Sequence, residues 1–519
     1  RLGVEVDKYN FAVNRPLAPV ETSKPGVYAC GVFQGPKDIP GSVTEASAAA
    51  CLAGGRLAVS RYTRTRQVEL PAEIDLTGKD ARIGVFVCNC GVNIAGSVDV
   101  SAVEEYARSL PGVAYAGQNL FTCSQDAQEQ MKKTISEHHL NRIVIAACTP
   151  KTHEGIFMDT LEAVGLNKYL LEMANIRNQN SWVHGDSPEE ATAKARGLVR
   201  AAVSRAVSLI PLHEKVIDVN QRAIVIGGGV SGMTAALGLA DQGYEMVLIE
   251  KEEQLGGMAN RLTTTIEGTN VQEFLQTLVS RVKGHPKIQV LTRSLVVGFS
   301  GFKGNFTTEV LVGPGMYERK IDHGVIILAT GAEEYRPKEF GYGESDRVLT
   351  QVELAARLKD SGAESLDRVV MVQCVGSRND ENPNCSRICC QSAIKNALKI
   401  KELNPKAQVF VLYRDMRTYG HLEEYYRKAR ELGIVFVRYT PDQPPQVELE
   451  SDRVFVSFRD HVLGRRLQVE ADLLALSAGM KASDTEELAS IVKLARTAEG
   501  HFMEAHVKLR PVEMATDRK

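Results

Sequence analysis

The chain has 519 residues, of which 62 are basic and 64 acidic, giving a formal net charge of −2, and 44% of it is apolar. That length exceeds what one hydrophobic core organises, since single domains cluster near ~100–150 residues, and the near-neutral balance gives no electrostatic reason to expect nucleic acid or an anionic membrane as partner. No apolar run approaches the ~20 residues that span a bilayer, so the chain reads as soluble and without direct membrane insertion.

Position 1 is Arg, and the first residues lack the charged-then-apolar pattern of a secretory signal, so the chain reads as a processed product, a fragment or one repeat of something longer. Ten cysteines stand at positions 30, 51, 88, 90, 123, 148, 374, 385, 389 and 390, and eight of them fall into two groups. A disulfide scaffold spreads its cysteines over a small secreted chain, whereas grouped cysteines in a large chain without a signal point to metal or redox chemistry in a reducing cytoplasm.

Residues 1–62 end in GVYACGVFQGPKDIPGSVTEASAAACLAGGRLAV, which reads as a short strand, a Gly/Pro turn and an alanine-rich helix entered through Ser42 or Thr44. Residues 63–81 are polar and read as a linker. Residues 82–210 alternate strands, predicted at 83–87, 142–146 and 169–173, with helices, which implies a parallel sheet covered on both faces. Residues 211–335 open with RAIVIGGGVSGMTAALGLADQGYEMVLIEKEEQLGGM and run to HGVIILATGAEEY, a strand, glycine turn, helix and strand. Residues 336–490 repeat that logic with strand 369–372, a cysteine loop, helix 391–403, strand 409–412 and a late strand at 473–476. Residues 491–519 return to the preceding nucleotide-binding domain and stop short. Their FMEAHVKLRPVEMATDRK echoes FAVNRPLAPVETSKPGVYACG near the start, so the chain ends where a segment matching 22–60 is expected to begin.

The glycine turn fits GxGxxG through Gly227, Gly229 and Gly232, with Val230 and Ser231 between. The first glycine permits the tight turn, the second lets backbone approach a pyrophosphate, and the third lets helix and strand pack closely. Glu250, 18 residues beyond Gly232, ends the next strand and is placed to accept hydrogen bonds from an adenosine ribose. In the corresponding position of the second domain stands QCVGSR, with Gly376 alone where three glycines are expected. Side chains at Val375 and Ser377 would keep a pyrophosphate away, so no nicotinamide site is expected. Arg414, near the end of the following strand, could meet a 2′-phosphate but reads better as a surface or partner contact.

The loop offers Cys374, Cys385, Cys389 and Cys390 within 17 residues instead. Four thiolates suit an iron–sulfur cluster or zinc, and their spacing does not choose between the two. Cys88 and Cys90 follow the first strand of the 82–210 domain, and Cys148 follows another. Carboxyl ends of parallel strands converge on the ligand crevice, where these three can meet Cys123 in a second four-thiolate site.

The combined set resembles the A-subunit family of heterodisulfide reductase through RIGVFVCNCGVNIAGSVDV, AACTPKTHEGIF, YLLEMANIRNQNSWVHGD, AIVIGGGVSG, QCVGSRNDENPNCSRICC and LYRDMRTYG, over about residues 82–515. The leading GVFQGPKDIPGSVTEASAAA resembles that family's closing flavin segment, and residues Glu250–Gly257 with Ala329-Thr330-Gly331 resemble the flavin signatures of two-dinucleotide-domain flavoproteins. The resemblance implies an α/β chain: an N-terminal parallel-sheet cluster domain, then a two-dinucleotide-binding-domain, thioredoxin-reductase-like flavoprotein. It implies FAD held by Gly227, Gly229, Val230, Ser231, Gly232, Glu250, Lys251, Gly256, Gly257, Met258, Ala329, Thr330 and Gly331. It also implies two 4Fe-4S clusters, on Cys88, Cys90, Cys123 and Cys148 and on Cys374, Cys385, Cys389 and Cys390. No residue is assigned a catalytic role.

The activity so implied is oxidoreduction in the cytoplasm, as an electron-transfer subunit of a multi-subunit complex that relays, and in some members bifurcates, electrons. The donor would be a hydrogenase, a formate dehydrogenase or an iron–sulfur adaptor, the acceptor a disulfide-reducing subunit, and the chain itself a homodimer within the complex. The chain departs from the family pattern in lacking ferredoxin-like CxxCxxCxxxCP modules and cysteines after Gly257, and in carrying its closing flavin segment at the front. Two other readings are a stand-alone NAD(P)H-dependent disulfide or polysulfide reductase, and a zinc-stabilised scaffold without redox function.

Overall fold

The computed structural model describes residues 2–66, 68–450 and 453–515. They form two compact units, one of residues 64–217 and the other of residues 1–63 together with 218–519. Among the described residues no helix is long and apolar enough to cross a membrane.

The second of these units begins with helix α1 (Ile39–Leu57), whose cap is Asp38: its carboxylate accepts from the Gly41 backbone N–H at 2.9 Å. The helix thus starts one turn before the predicted Ser42 or Thr44. Pro40 is tolerated because the first-turn N–H groups have no intrahelical partner anyway.

Residues 64–217 build a four-stranded parallel sheet from β1 (Ile83–Cys88), β2 (Val113–Asn119), β3 (Arg142–Ala147) and β4 (Leu171–Asn175), in the order β2-β1-β3-β4. Helices α2 (Val100–Arg108), α3 (Gln125–Glu137), α4 (Pro150–Glu162) and α5 (Pro188–Val207) cover it, α2 packing with α5 and α3 with α4. Every residue of β1 and β3 is buried, as a central strand covered on both faces requires. The sequence pattern misses β2 because this edge strand is mostly exposed or half-exposed and its short apolar run, Val113-Ala114-Tyr115-Ala116, gives way at once to Gly117-Gln118-Asn119. β4 starts two residues later than its apolar pattern suggests. Asn167 folds 167–170 into a turn, its Oδ1 accepting from Tyr169 N at 3.1 Å and its carbonyl from Leu170 N at 3.1 Å.

The other unit continues with a parallel sheet of β5 (Arg222–Ile226), β6 (Glu245–Ile249), β7 (Ile288–Leu291) and β11 (Val325–Leu328), ordered β11-β5-β6-β7. Helices α6 (Val230–Ala240) and α7 (Val271–Gly284) bury one face around Met233, Leu237, Leu248 and Leu275. An antiparallel sheet of β8 (Ser294–Phe302), β9 (Asn305–Val312) and β10 (Tyr317–His323) buries the other around Ile224, Val247, Val310 and Ile321.

The same plan recurs downstream. Strands β13 (Val348–Thr350), β14 (Arg368–Val375), β15 (Gln408–Tyr413), β16 (Val435–Arg438) and β20 (Leu473–Ala478) form a parallel sheet ordered β13-β20-β14-β15-β16. Helices α8 (Gln351–Ser361), α9 (Cys389–Leu403) and α10 (Glu423–Glu431) lie on one face, and β17 (Gln446–Glu450), β18 (Arg453–Asp460) and β19 (Arg465–Ala471) on the other. Strand β12 (Ala332–Glu334) pairs antiparallel with β21 (Met480–Ala482) and ties the two domains together. The fold is therefore α/β, a parallel-sheet domain and two dinucleotide-binding domains. Sequence periodicity revealed neither antiparallel layer.

Helix α1 packs on α6 and on β23 (Arg510–Met514). The α1–α6 contact is close because Gly238 has no side chain: a Cβ there would stand 2.6 Å from Cys51 Sγ.

Candidate functional site

The first site is the turn between β5 and α6. Gly227 has φ +111°, and a Cβ on it would lie 2.2 Å from the Ala329 carbonyl oxygen, while one on Gly232 would lie 1.8 Å from the Gly227 oxygen. Neither position accepts another residue without moving backbone. Gly229 caps α6 with no side chain, and nothing lies within 4 Å of where its Cβ would sit, so the space beside the start of α6 is open. That is the cradle a pyrophosphate needs.

Glu250 is buried, and its two oxygens accept from Gly228 N at 2.6 Å and Glu252 N at 2.8 Å. The carboxylate thus holds the glycine loop closed and keeps lone pairs for ribose hydroxyls. Gly228, the middle glycine, is part of this device: a Cβ on it would meet Glu250 Oε2 at 2.8 Å. Sequence reasoning passed over it, although the run of three glycines was the signal. Gly256 N donates to the Gly228 carbonyl at 2.9 Å, and Gly257, at φ +54°, approaches Gly229. Ala329 N donates to Ile226 O at 2.8 Å, which sets Ala329-Thr330-Gly331 beside the loop. Val230 and Met258 are half-buried, and Ser231 and Lys251 are exposed around this cradle. These residues fit a dinucleotide.

The second site is the cysteine loop, which leaves β14 and enters α9. Cys374 lies within β14 at φ +63°, where the pairing with β20 shifts, and Arg378 and Arg387 adopt φ +58° and +62°. Left-handed backbone at three non-glycine residues is costly and typical of sites that hold a group in place. Cys389 and Cys390 open the first turn of α9, two residues earlier than the predicted helix start. Their side chains diverge: Cys389 Sγ donates to the carbonyl of Ala478, the last residue of β20, at 3.3 Å, and Cys390 Sγ to Asp415 O, just beyond β15, at 3.8 Å. Since β14 runs between those strands, the adjacent thiols straddle Cys374. Each of the four thiols is near enough to the other three for their charges to interact. Burial pushes the Cys389 thiol up to about 12, the other three cysteines adding to it. Burial also raises Cys374, against the pull of Arg378, and Cys390. Such thiols give up their protons to a metal's charge rather than to water.

Around them stand Gln373, Ser477, Arg378 and Tyr335, which sequence reasoning missed, together with Arg414 and Gly376. Gln373 is fully buried and leaves both amide atoms without a partner among the described residues, as Ser477 on β20 leaves its hydroxyl. Arg378 donates to Cys374 Sγ at 3.8 Å and pairs with Asp415 at 2.6 Å. Arg414, read from the sequence as a surface or partner contact, is half-buried and donates to the Arg378 carbonyl at 2.7 Å, which braces the loop. Gly376, at φ +63°, is covered by Tyr335, whose ring would stand 2.1 Å from a Cβ there. No local signal announces Tyr335, which lies 41 residues upstream of Gly376.

In the 64–217 unit Cys88 ends β1, Cys90 follows it, Cys123 lies between β2 and α3, and Cys148 between β3 and α4. The three strands are neighbours in the sheet. The connections leave β1 in opposite directions to β2 and, by way of it, to β3, so the switch point falls between β1 and β3. Cys88 interacts with Cys90 and Cys123, and Cys148 with Cys123 and Cys90. Burial raises the Cys88 and Cys148 thiols, with Arg177 opposing the rise at Cys148. Among the described residues no group of three His, Cys, Asp or Glu side chains is drawn tightly enough to hold a single metal ion.

The family of pyridine nucleotide-disulphide oxidoreductases matches residues 221–372. The chain is 36% identical to the second iron-sulfur A-subunit of the CoB--CoM heterodisulfide reductase of Methanopyrus kandleri, over 85% of this chain and 81% of that one. The chain belongs to the heterodisulfide reductase A-subunit family. The A-subunit of the H(2):CoB-CoM heterodisulfide,ferredoxin reductase of Methanothermobacter marburgensis is 34% identical to this family member over 85% of it and 81% of the relative. Among solved structures, the thioredoxin reductase of T. acidophilum aligns with 57% of it and 89% of that chain, with 14% identity and a TM-score of 0.39. As a member of this family the protein is a flavoprotein oxidoreductase.

Proposed function

We propose that this chain is the flavin-bearing electron relay of a disulfide-reductase-type complex. FAD would be held by Gly227, Gly229, Val230, Ser231, Gly232, Glu250, Lys251, Gly256, Gly257, Met258 and Ala329-Thr330-Gly331. Two 4Fe-4S clusters would be held by Cys88, Cys90, Cys123 and Cys148 and by Cys374, Cys385, Cys389 and Cys390. FAD supplies the exchange between paired electrons and the single electrons that iron–sulfur clusters carry.

One observation carries this reading: where a nicotinamide loop would stand, the backbone at Gly376 is covered by Tyr335 and the loop presents four mutually close thiols. Hydride access is blocked there, and a one-electron path is offered instead. The name of the relatives, an iron-sulfur subunit, favours a cluster over zinc at these thiols. The unpaired Gln373 amide is a donor that cluster sulfides can use.

Residues 1–62 complete the flavin domain in this reading. Asp38, the α1 cap, pairs with Arg387 of the cysteine loop at 3.1 Å, and α1 lies on α6. The partners are a donor subunit of the hydrogenase, formate dehydrogenase or iron–sulfur adaptor type and a disulfide-reducing or other acceptor subunit, with the chain as a homodimer in a cytoplasmic complex. The relatives' names, which include hydrogen, ferredoxin and a heterodisulfide, support that class of donors and acceptors.

A visible spectrum of the anaerobically purified protein tests it: flavin bands over a broad iron–sulfur shoulder are expected. Flavin alone would favour an NAD(P)H-dependent reductase, and a colourless protein a scaffold. Cys385→Ser with Cys389→Ser is expected to remove about one cluster's iron per chain, since thiolates are the ligands.

A further inference from the structure

Behind the cysteine loop lies a chain of charged groups that ends on a sulfur. Arg438 Nε donates to the Arg414 carbonyl at 3.0 Å, and its guanidinium stands 3.5 Å from Asp415. Arg414 donates to the Arg378 carbonyl at 2.7 Å, and Asp415 takes Arg378 Nη2 at 2.6 Å. The other terminal nitrogen of Arg378, Nη1, is directed to Cys374 Sγ at 3.8 Å. The Arg378 side chain is 17% exposed, while its carboxylate partner is 44% exposed. An ion pair open to water on one side adds little stability. What the carboxylate achieves is orientation, because one arm of the planar fork is pinned and the other then points at the thiol.

We propose that Arg378 is a positioning residue that sets the redox potential of the group held by Cys374, Cys385, Cys389 and Cys390, through its hydrogen bond to Cys374 Sγ. The proposal rests on the cluster reading above. Reduction adds one electron to that group and breaks no bond. A donor on a ligating sulfur withdraws charge from it, favours the reduced state and raises the potential. The guanidinium stays protonated throughout, so it offsets the added electron without proton uptake. Lysine would keep the charge but has no second arm with which to hold Asp415 and the sulfur together.

The test is a redox titration followed by EPR on the intact chain, with Cys385→Ser first identifying which reduced-state signal belongs to this loop. Arg378→Gln is expected to keep its iron and to lower the midpoint of that signal by a tenfold change in the one-electron equilibrium or more, which is about 59 mV. Arg378→Lys is expected to shift it less, and Asp415→Asn in the same direction. The signal that survives in Cys385→Ser is expected to stay where it is in all three. Unmoved midpoints in variants that retain iron overturn the role of Arg378 and leave the cluster standing. If Arg378→Gln loses iron, Arg378→Lys and Asp415→Asn decide, and two unmoved midpoints overturn the role. A double cysteine variant that keeps all its iron overturns the cluster reading instead.

Discussion

The ring of Tyr335 lies so close to Gly376 that a Cβ on that glycine would fall 2.1 Å from it. Gly376→Ala therefore meets both a left-handed φ of +63° and a filled space, and it is expected to lower stability by about 1–3 kcal/mol, read from urea unfolding. On the proposed reading the same contact also closes the hydride route. On rapid mixing with NADPH the flavin absorbance is expected to stay unchanged while dithionite bleaches it. Fast bleaching by NADPH would restore the nicotinamide site.

Glu250 joins the glycine loop to the following strand through two backbone N–H groups, at 2.6 and 2.8 Å. Glu250→Gln keeps the shape but turns one charge-assisted acceptor into an amide. The loss is expected to be about 1.5–3 kcal/mol, roughly ten- to hundredfold in FAD affinity, measured by fluorescence titration of the deflavinated protein. Equal affinity would place the ribose elsewhere.

Helix α1 reaches α6 across Gly238, where a Cβ would lie 2.6 Å from Cys51 Sγ. Gly238→Ala is therefore expected to be more favourable in a Cys51→Ala background than in the native chain, with a coupling of about 1 kcal/mol between the two sites. Additive effects would mean that residues 1–63 pack elsewhere in solution.

His323 is fully buried, its Nε2 2.8 Å from Thr308 Oγ1 and its Nδ1 3.1 Å from the Val325 carbonyl. Burial lowers its pKa from 6.5 to about 4. The unfolded chain then binds the extra proton between those values, so the stability it contributes is complete above pH 6.5 and is lost as pH falls through 4. The 2.5-unit gap (6.5 − 4) corresponds to about 3 kcal/mol. His323→Gln is expected to unfold less steeply with acid over that window, as followed by circular dichroism. Parallel curves would exclude His323 as the acid-sensitive group.

Gln373 is fully buried with neither amide atom paired. Gln373→Met, similar in shape, is expected to stabilise the cluster-free chain by about 1–3 kcal/mol, measured by thermal unfolding after chelation. A destabilised variant would show that the amide has a partner.

The α/β architecture could be read from the chain because it rests on local order: apolar strand runs alternating with helices, and the glycines of 227–232 between β5 and α6. The edge strand β2 and the antiparallel layers β8–β10 and β17–β19 escaped, because their apolar runs are short, broken by polar residues and glycine, and only partly buried. The helix cap likewise moved from Ser42 to Asp38, since a proline and a glycine just after the cap look like a turn until packing on α6 draws them into the helix.

What the sequence by itself determined is which residues are available: grouped thiols, a glycine turn and an acid after the next strand. Their relations were decided by the tertiary structure, because they join positions far apart in the chain. Tyr335 covers Gly376 because β12 pairs with β21, and Cys389 and Cys390 part around Cys374 because β14 lies between β20 and β15. Arg378 meets Cys374 through a left-handed turn that Asp415, on the next strand's end, holds in place. Such contacts depend on strand order and side-chain packing, which spacing along a chain does not encode.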